Sequence, residues 1–97
     1  MVCTVLLNLK AQTEHIADVR ERLKMLFPVT RGFSGCIDIY ASQDMDEPQN
    51  FAVIETWESR KDYECYLEWR TKRGDIGVME KMLEGKIHLR LFDRIGA

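Results

Sequence analysis

The chain has 97 residues, with 16 acidic and 14 basic side chains and a net charge of -2. A chain of this length holds one domain with one core, and the slight acidic excess argues against a nucleic-acid or anionic-membrane binder, which needs a basic field. No run approaches the ~20 apolar residues of a bilayer crossing, and no basic n-region with a cleavage site opens the chain. The expectation is a single soluble cytoplasmic domain over residues 1–97 with no membrane or nucleic-acid partner.

Cys3, Cys36 and Cys65 are odd in number and widely spaced, which makes no disulfide framework and reads as buried, reduced thiols. There is no Cys-x-x-Cys or Cys/His zinc spacing, and His15 and His88 are the only histidines. A metal site built on these residues is not expected.

Val2 to Leu9 reads as the first strand, apolar on both sides except at Asn8. Two apolar sides mean that both faces are covered. The Asn8 amide either ends the strand or turns toward a ligand oxygen. Ile16, Val19, Leu23, Leu26 and Phe27 then recur at helical spacing, predicting a helix from Glu14 to Phe27 that Pro28 ends. His15 falls in its first turn, as a surface residue. A turn with Gly32 and Gly35 leads into a second strand, Cys36 to Ser42, with Ile37 and Ile39 on one face and Cys36, Asp38 and Tyr40 on the other. Residues 43–50 form a polar hairpin loop, whose acids lack the spacing of a calcium loop.

The most informative stretch follows. Phe51 to Trp57 is rich in β-branched and aromatic residues and predicts the third strand. Ser59 offers an N-cap, and Asp62 three residues later completes a capping pattern for a helix running to about Lys72. On a helical wheel Tyr63, Tyr66 and Leu67 share one side, with Cys65 and Trp69 at its flank. Arg70 falls inside this aromatic arc. A buried guanidinium needs a carboxylate, carbonyls or a ligand anion. Glu55, which interrupts an apolar strand, is the nearest candidate for an ion pair. A ligand phenolate or carboxylate, or escape of the side chain to solvent, are the alternatives. Gly74 to Gly77 breaks the helix, Val78 to Leu83 makes a short helical cover, and Lys86 to Ile95 is the last strand.

The order β-α-β-β-α-(α)-β predicts an α+β, ferredoxin-like fold: a four-stranded antiparallel sheet with helices on one face. Its uncovered face is apolar enough to predict a homodimer packed sheet to sheet. The candidate catalytic residues are Tyr66, Arg70 and His88, the last being the only strand histidine and hence a candidate base. The candidate substrate-binding residues are Asn8, Tyr40, Trp57, Tyr63 and Trp69. The chain has no Gly-rich phosphate loop, nucleophile elbow or His-Glu-x-x-His motif.

Gly35-Cys36, the acidic loop, and the run Phe51-x-x-x-Glu55-x-Trp57-x-Ser59 resemble the antibiotic biosynthesis monooxygenase family of the dimeric α/β-barrel superfamily. The resemblance implies a homodimer with a pocket between sheet and helices in each subunit. It also implies a monooxygenase that uses O₂ without metal or flavin on a small aromatic, phenolic or quinol-like compound, the substrate supplying the electrons. The protein then binds, desolvates and helps to deprotonate it. A non-catalytic or stress-related dimer carrying a small aromatic ligand is the alternative. Many relatives carry a helix-two histidine nine residues after the tryptophan, where this chain has Tyr66; haem binding or degradation is a third reading, but haem-degrading relatives use a helix-two histidine as iron ligand, and this chain has none between His15 and His88. Quinone-forming members carry an Asn on strand three where this chain has Val53.

Overall fold

The computed structural model describes residues 1–96. Its elements are β1 (Cys3–Lys10), α1 (Ile16–Arg31), β2 (Cys36–Gln43), β3 (Asn50–Trp57), α2 (Arg60–Arg73), α3 (Asp75–Glu80) and β4 (His88–Asp93), with a 3-10 turn at Thr13–His15 leading into α1. The strands lie in the order β2-β3-β1-β4, and every neighbouring pair is antiparallel. This is the ferredoxin-like sheet expected from the pattern of elements.

Strand alternation sorts the two faces. Phe51, Val53, Glu55 and Trp57 of β3 are buried, as are Cys3, Val5 and Leu9 of β1. Leu89 and Leu91 of β4 pair with Leu7 and Val5 and so share this helix-covered face. The opposite face carries Leu6, Asn8, Tyr40, Ile54, His88 and Phe92, aligned by the cross-strand register. Tyr40 is 48% and Phe92 42% exposed there.

The second strand departs from simple alternation. A register shift between Cys36 and Asp38 makes a bulge. The extra residue is Ile37, which is 53% exposed, whereas Ile39 is buried opposite Glu55. Cys36 therefore turns to the helix face with Ile39, because a bulge inverts the alternation on one side of it.

Gly35 explains the start of β2. It has φ +89°, and a Cβ there would come within 2.6 Å of the Asp62 side chain. Its carbonyl accepts from the Glu58 N–H at 2.8 Å. A glycine is thus needed both for the backbone angle and for the close approach that ties β2 to the start of α2. The α2 cap is as the sequence predicts: the Asp62 N–H donates to Ser59 Oγ at 3.1 Å, and the Ser59 hydroxyl donates to Asp62 Oδ2 at 2.9 Å.

Three boundaries differ from expectation. Pro28 does not end α1, which runs on to Arg31. A proline removes one helical hydrogen bond, but the turn beyond it is held by Thr30, fully buried and bonded to α2. Helix α3 begins at Asp75, earlier than the predicted Val78, since Gly74 alone makes the turn at φ +85° and Gly77 stays helical. The last strand is shorter than predicted, beginning at His88. Among the cysteines, Cys3 is buried and Cys36 half-buried, but Cys65 is exposed, on the solvent side of α2.

Candidate active site

A cavity of about 280 Å³ lies between the helix-covered face of the sheet and helices α1, α2 and α3. Leu23, Leu26 and Phe27 of α1, Val53 of β3, and Ile76 and Met79 of α3 supply apolar wall. Tyr63, Tyr66 and Arg70 of α2 and Glu55 of β3 bring polar groups to it. A wider cleft of about 420 Å³ runs along α1 and the edge strand β2, past Arg20, Lys24 and Arg31. The inner cavity is the stronger candidate because it combines apolar walls with buried ionisable groups.

Arg70 is 3% exposed, and four of its five N–H groups donate to protein acceptors. Its Nε donates to Tyr66 OH at 2.9 Å, Nη1 to Asp75 Oδ2 at 2.8 Å, and Nη2 to the Leu26 carbonyl at 2.9 Å and Thr30 Oγ1 at 3.0 Å. Tyr66 OH and Thr30 Oγ1 lie 2.7 Å apart, and the Thr30 hydroxyl also bonds the Leu26 carbonyl at 3.2 Å. The arrangement joins the end of α1, the length of α2 and the start of α3. The partner foreseen for Arg70 was Glu55; the structure gives it Asp75 instead. Asp75 follows directly on the Gly74 turn, which brings its carboxylate back against α2. Arg73 at 3.3 Å and Arg22 at 3.7 Å complete a cluster of three arginines around Asp75. Burial alone would raise the Asp75 carboxyl, but the Arg70 and Arg73 bonds and charges outweigh it and hold it below the ordinary aspartate range.

Glu55 is also 3% exposed. Its Oε1 accepts from Trp57 Nε1 at 3.0 Å. Among the described residues no side chain donates to its other oxygen. Burial pushes its carboxyl up to about 7, against the pull of the Trp57 N–H and the Arg70 charge. At neutral pH it is therefore divided between acid and carboxylate, the condition suited to a general base. Burial first, and the Glu55 charge second, push the Tyr63 phenol upward, so it stays a neutral hydroxyl. Burial raises Tyr66 as well, although its bonds to Thr30 and Arg70 oppose the shift. The Cys3 and Cys36 thiols are raised chiefly by burial, which disfavours the thiolate needed for nucleophilic chemistry.

The predicted site residues separate into three groups. Tyr63, Tyr66 and Arg70 meet at the cavity. Trp57 and Trp69 stand one layer behind it. Trp57 is fully buried, 4.9 Å from Tyr66 and 5.8 Å from Tyr63 between ring centres. Trp69 is half-buried against Phe33 at 5.3 Å, with the Arg70 and Arg73 guanidiniums over its ring at 5.0 and 4.9 Å. Asn8, Tyr40 and His88 do not join the cavity. Asn8 and His88 are register partners on the opposite face of the sheet, both exposed, and Tyr40 stands on that face over the edge strand. Strand parity puts them there: Asn8 pairs with Ala52, one residue out of step with Val53 and Glu55. Glu55 and Asp75 are the site residues the sequence reading did not assign. The signal for Glu55 was its place on the buried face of an apolar strand, two residues from Trp57.

Among the described residues no three His, Cys, Asp or Glu side chains gather as a metal site, and no helix is long and apolar enough to cross a membrane. A family model for antibiotic biosynthesis monooxygenases matches residues 2–71. The chain belongs to the antibiotic biosynthesis monooxygenase family. The match takes in β1 to β3 and most of α2, and so includes Glu55, Tyr63, Tyr66 and Arg70. Solved structures share the fold of this family member. A conserved protein of Methanosarcina mazei Go1 superposes with TM-score 0.87 at 15% identity, covering 95% of this chain and 91% of that one. A Deinococcus radiodurans protein carrying the family's name gives 0.86 at 22% identity, covering 100% and 95%. A Pseudomonas aeruginosa protein gives 0.80 at 21% identity, covering 98% and 95%. Comparison with curated protein sequences gives no match.

Proposed function

We propose that this protein is a cofactor-independent monooxygenase acting on a small phenolic or quinol-like aromatic compound in the cavity between sheet and helices. The observation that carries the reading is Glu55: a buried carboxyl at the cavity wall, with one oxygen held by Trp57 and a proton affinity raised to about 7. Membership of the family supports the reaction class.

Glu55 takes the proton of the phenolic hydroxyl. The O–H bond breaks and its electron pair stays with the ring, which becomes electron-rich at the para carbon. That carbon reduces O₂ and forms a C–O bond to it. Breaking of the O–O bond, with loss of the ring hydrogen and one oxygen as water, leaves a quinone. One phenol and one O₂ thus yield one quinone and one water. The apolar walls exclude bulk water and strengthen the electrostatic contacts of the anion. Arg70 does not touch the reacting atoms in this scheme; it is a positioning residue that holds Tyr66 and the α2–α3 junction. Tyr66, held from both sides, forms wall.

The functional unit we propose is a homodimer closed over the opposite sheet face, where Leu6, Tyr40, Ile54 and Phe92 stand together. His88 and Asn8 then belong to the subunit contact, and sedimentation should give twice the chain mass of 11.4 kDa.

Oxygen uptake by metal-free protein with phenols, quinols and anthrones tests the reaction. Glu55→Gln should lower turnover by about 100-fold or more, the usual worth of a positioned base, with the fold intact. Undiminished turnover in that variant would remove Glu55 from the chemistry. Ligand-induced stabilisation with no oxygen uptake across the series would make the protein a binding module.

A further inference from the structure

This inference rests on the cavity being the reaction site, and it concerns the charge of the molecule the site admits. The buried cationic side chain in the cavity wall is Arg70; four of its five N–H groups have protein acceptors, and its charge is paired with Asp75. Asp75 is occupied by arginines. Tyr66 OH is bonded to both Arg70 and Thr30. Lys86 and Glu80 are exposed at the cavity edge, with opposite charges in water.

Two oxygens of buried side chains remain. Glu55 Oε2 and the Tyr63 hydroxyl have no hydrogen-bond partner among the described residues. Nor are they sealed away: among those residues Arg22 Nε alone is an enclosed side-chain polar atom without a partner. Both residues line the cavity. From β1 the Cys3 thiol and from β2 the Cys36 thiol also lie within reach of the Glu55 charge, and both are neutral. What the cavity leaves open beside Glu55 is thus one acceptor that gains negative charge and one neutral hydroxyl; of the cations in its wall, Arg70 is paired with Asp75 and Lys86 is exposed to water at the edge.

We propose that the cavity takes its ligand as a neutral aromatic alcohol, whose hydroxyl donates to Glu55 and accepts from Tyr63, and that it turns away the carboxylate of the same ring system. A second anion beside Glu55 in apolar surroundings meets no buried, unpaired counter-charge to offset its lost hydration. A neutral alcohol avoids that cost. When its O–H bond breaks, the proton goes to Glu55 and the electron pair stays on the ligand oxygen. The cavity keeps a single negative charge throughout, moved from the carboxylate to the ring, and the Tyr63 O–H donates to the oxygen that receives it. An anionic ligand would make that charge double.

Anaerobic calorimetry with purified protein tests this, using phenol, 2-naphthol and the matched benzoate and 2-naphthoate. The titrations are run at about pH 8, above the Glu55 midpoint and below that of an ordinary phenol. At least one alcohol should bind about tenfold or more tighter than its carboxylate, a difference of about 1.4 kcal/mol. Tyr63→Phe should weaken the alcohol and leave the carboxylate unchanged, and Glu55→Gln should narrow the gap. Equal or tighter binding of the carboxylates, or no binding of any alcohol, would overturn the proposal. The oxygenase reading fails separately: selective binding of the alcohols with no oxygen uptake would sink that reading and leave this one standing, while oxygen uptake with a carboxylate ligand would do the reverse.

Discussion

Among the described residues two ionisable side chains of opposite kind are buried, the basic Arg70 and the acidic Glu55, and both belong to the cavity wall. They are equally enclosed and very differently supported. Arg70 has four protein acceptors on three helices. Glu55 has one donor, the indole of Trp57. A buried charge with four partners is a fastening: removing it leaves several groups unpaired at once. A buried charge with one partner keeps a valence for something else, and its proton equilibrium moves toward neutrality. The difference teaches which of two conspicuous residues is free for chemistry. From sequence Arg70 drew the attention; in the fold it is Glu55 that is free.

The largest effect should come from breaking the fastening. Arg70→Met keeps length and removes every N–H, leaving Asp75 and the Leu26 carbonyl without that donor. We expect a loss of about 3–5 kcal/mol, the usual cost of removing one partner of a buried pair, read by urea unfolding. A loss under about 1 kcal/mol would show Arg70 to be dispensable to the fold, and would return it to the list of ligand-binding groups.

Glu55 should leave its mark on the pH dependence of stability. Its carboxyl rises from an ordinary 4.5 to about 7 on folding, so between those values the native state holds a proton that the unfolded state has lost. Its contribution is therefore full below 4.5 and is lost as pH rises through 7, on the order of 3 kcal/mol in all. Glu55→Gln should flatten that part of the curve and make the protein the more stable form at alkaline pH. A wild-type curve rising through this range, with the variant parallel to it, would contradict the assignment.

The smallest effect separates charge from shape at the fastening. Asp75→Asn keeps an acceptor for Arg70 but removes the charge, and should cost about 1.5–3 kcal/mol by thermal or urea unfolding. The Asp75 carboxyl is held below its ordinary 3.8. Its contribution is therefore present above 3.8 and lost as pH falls below it, the opposite sign to Glu55. Loss of acid sensitivity in the variant would identify Asp75 as the group responsible.

The element order, the strand-to-helix join at Trp57–Ser59 and the cap at Ser59 were all legible in the sequence, because local chemistry decides them: β-branched runs, a hydroxyl before a helix, glycine after it. Tyr63, Tyr66 and Arg70 could be brought to one wall by helical spacing alone. Two kinds of feature could not be read. One was strand parity across a bulge, which moved Cys36 to the inner face, and the inward face of β1, which left Asn8 outside. The other was pairing at a distance. Nothing local says that Asp75, five residues after Arg70, folds back over Gly74 to take the guanidinium that Glu55 was expected to hold. The persistence of α1 past Pro28 has the same origin, since Thr30 is fixed by a partner on another helix.

The claim on which the account turns is that Glu55 is a carboxyl with a proton to exchange near neutrality. Carbon-13 NMR of glutamate-labelled protein, with Glu55→Gln to assign the signal, would measure it directly. The account predicts a midpoint near 7 that moves when an aromatic alcohol binds. A midpoint at the ordinary 4.5, unmoved by ligand, would contradict it and leave the cavity without a base.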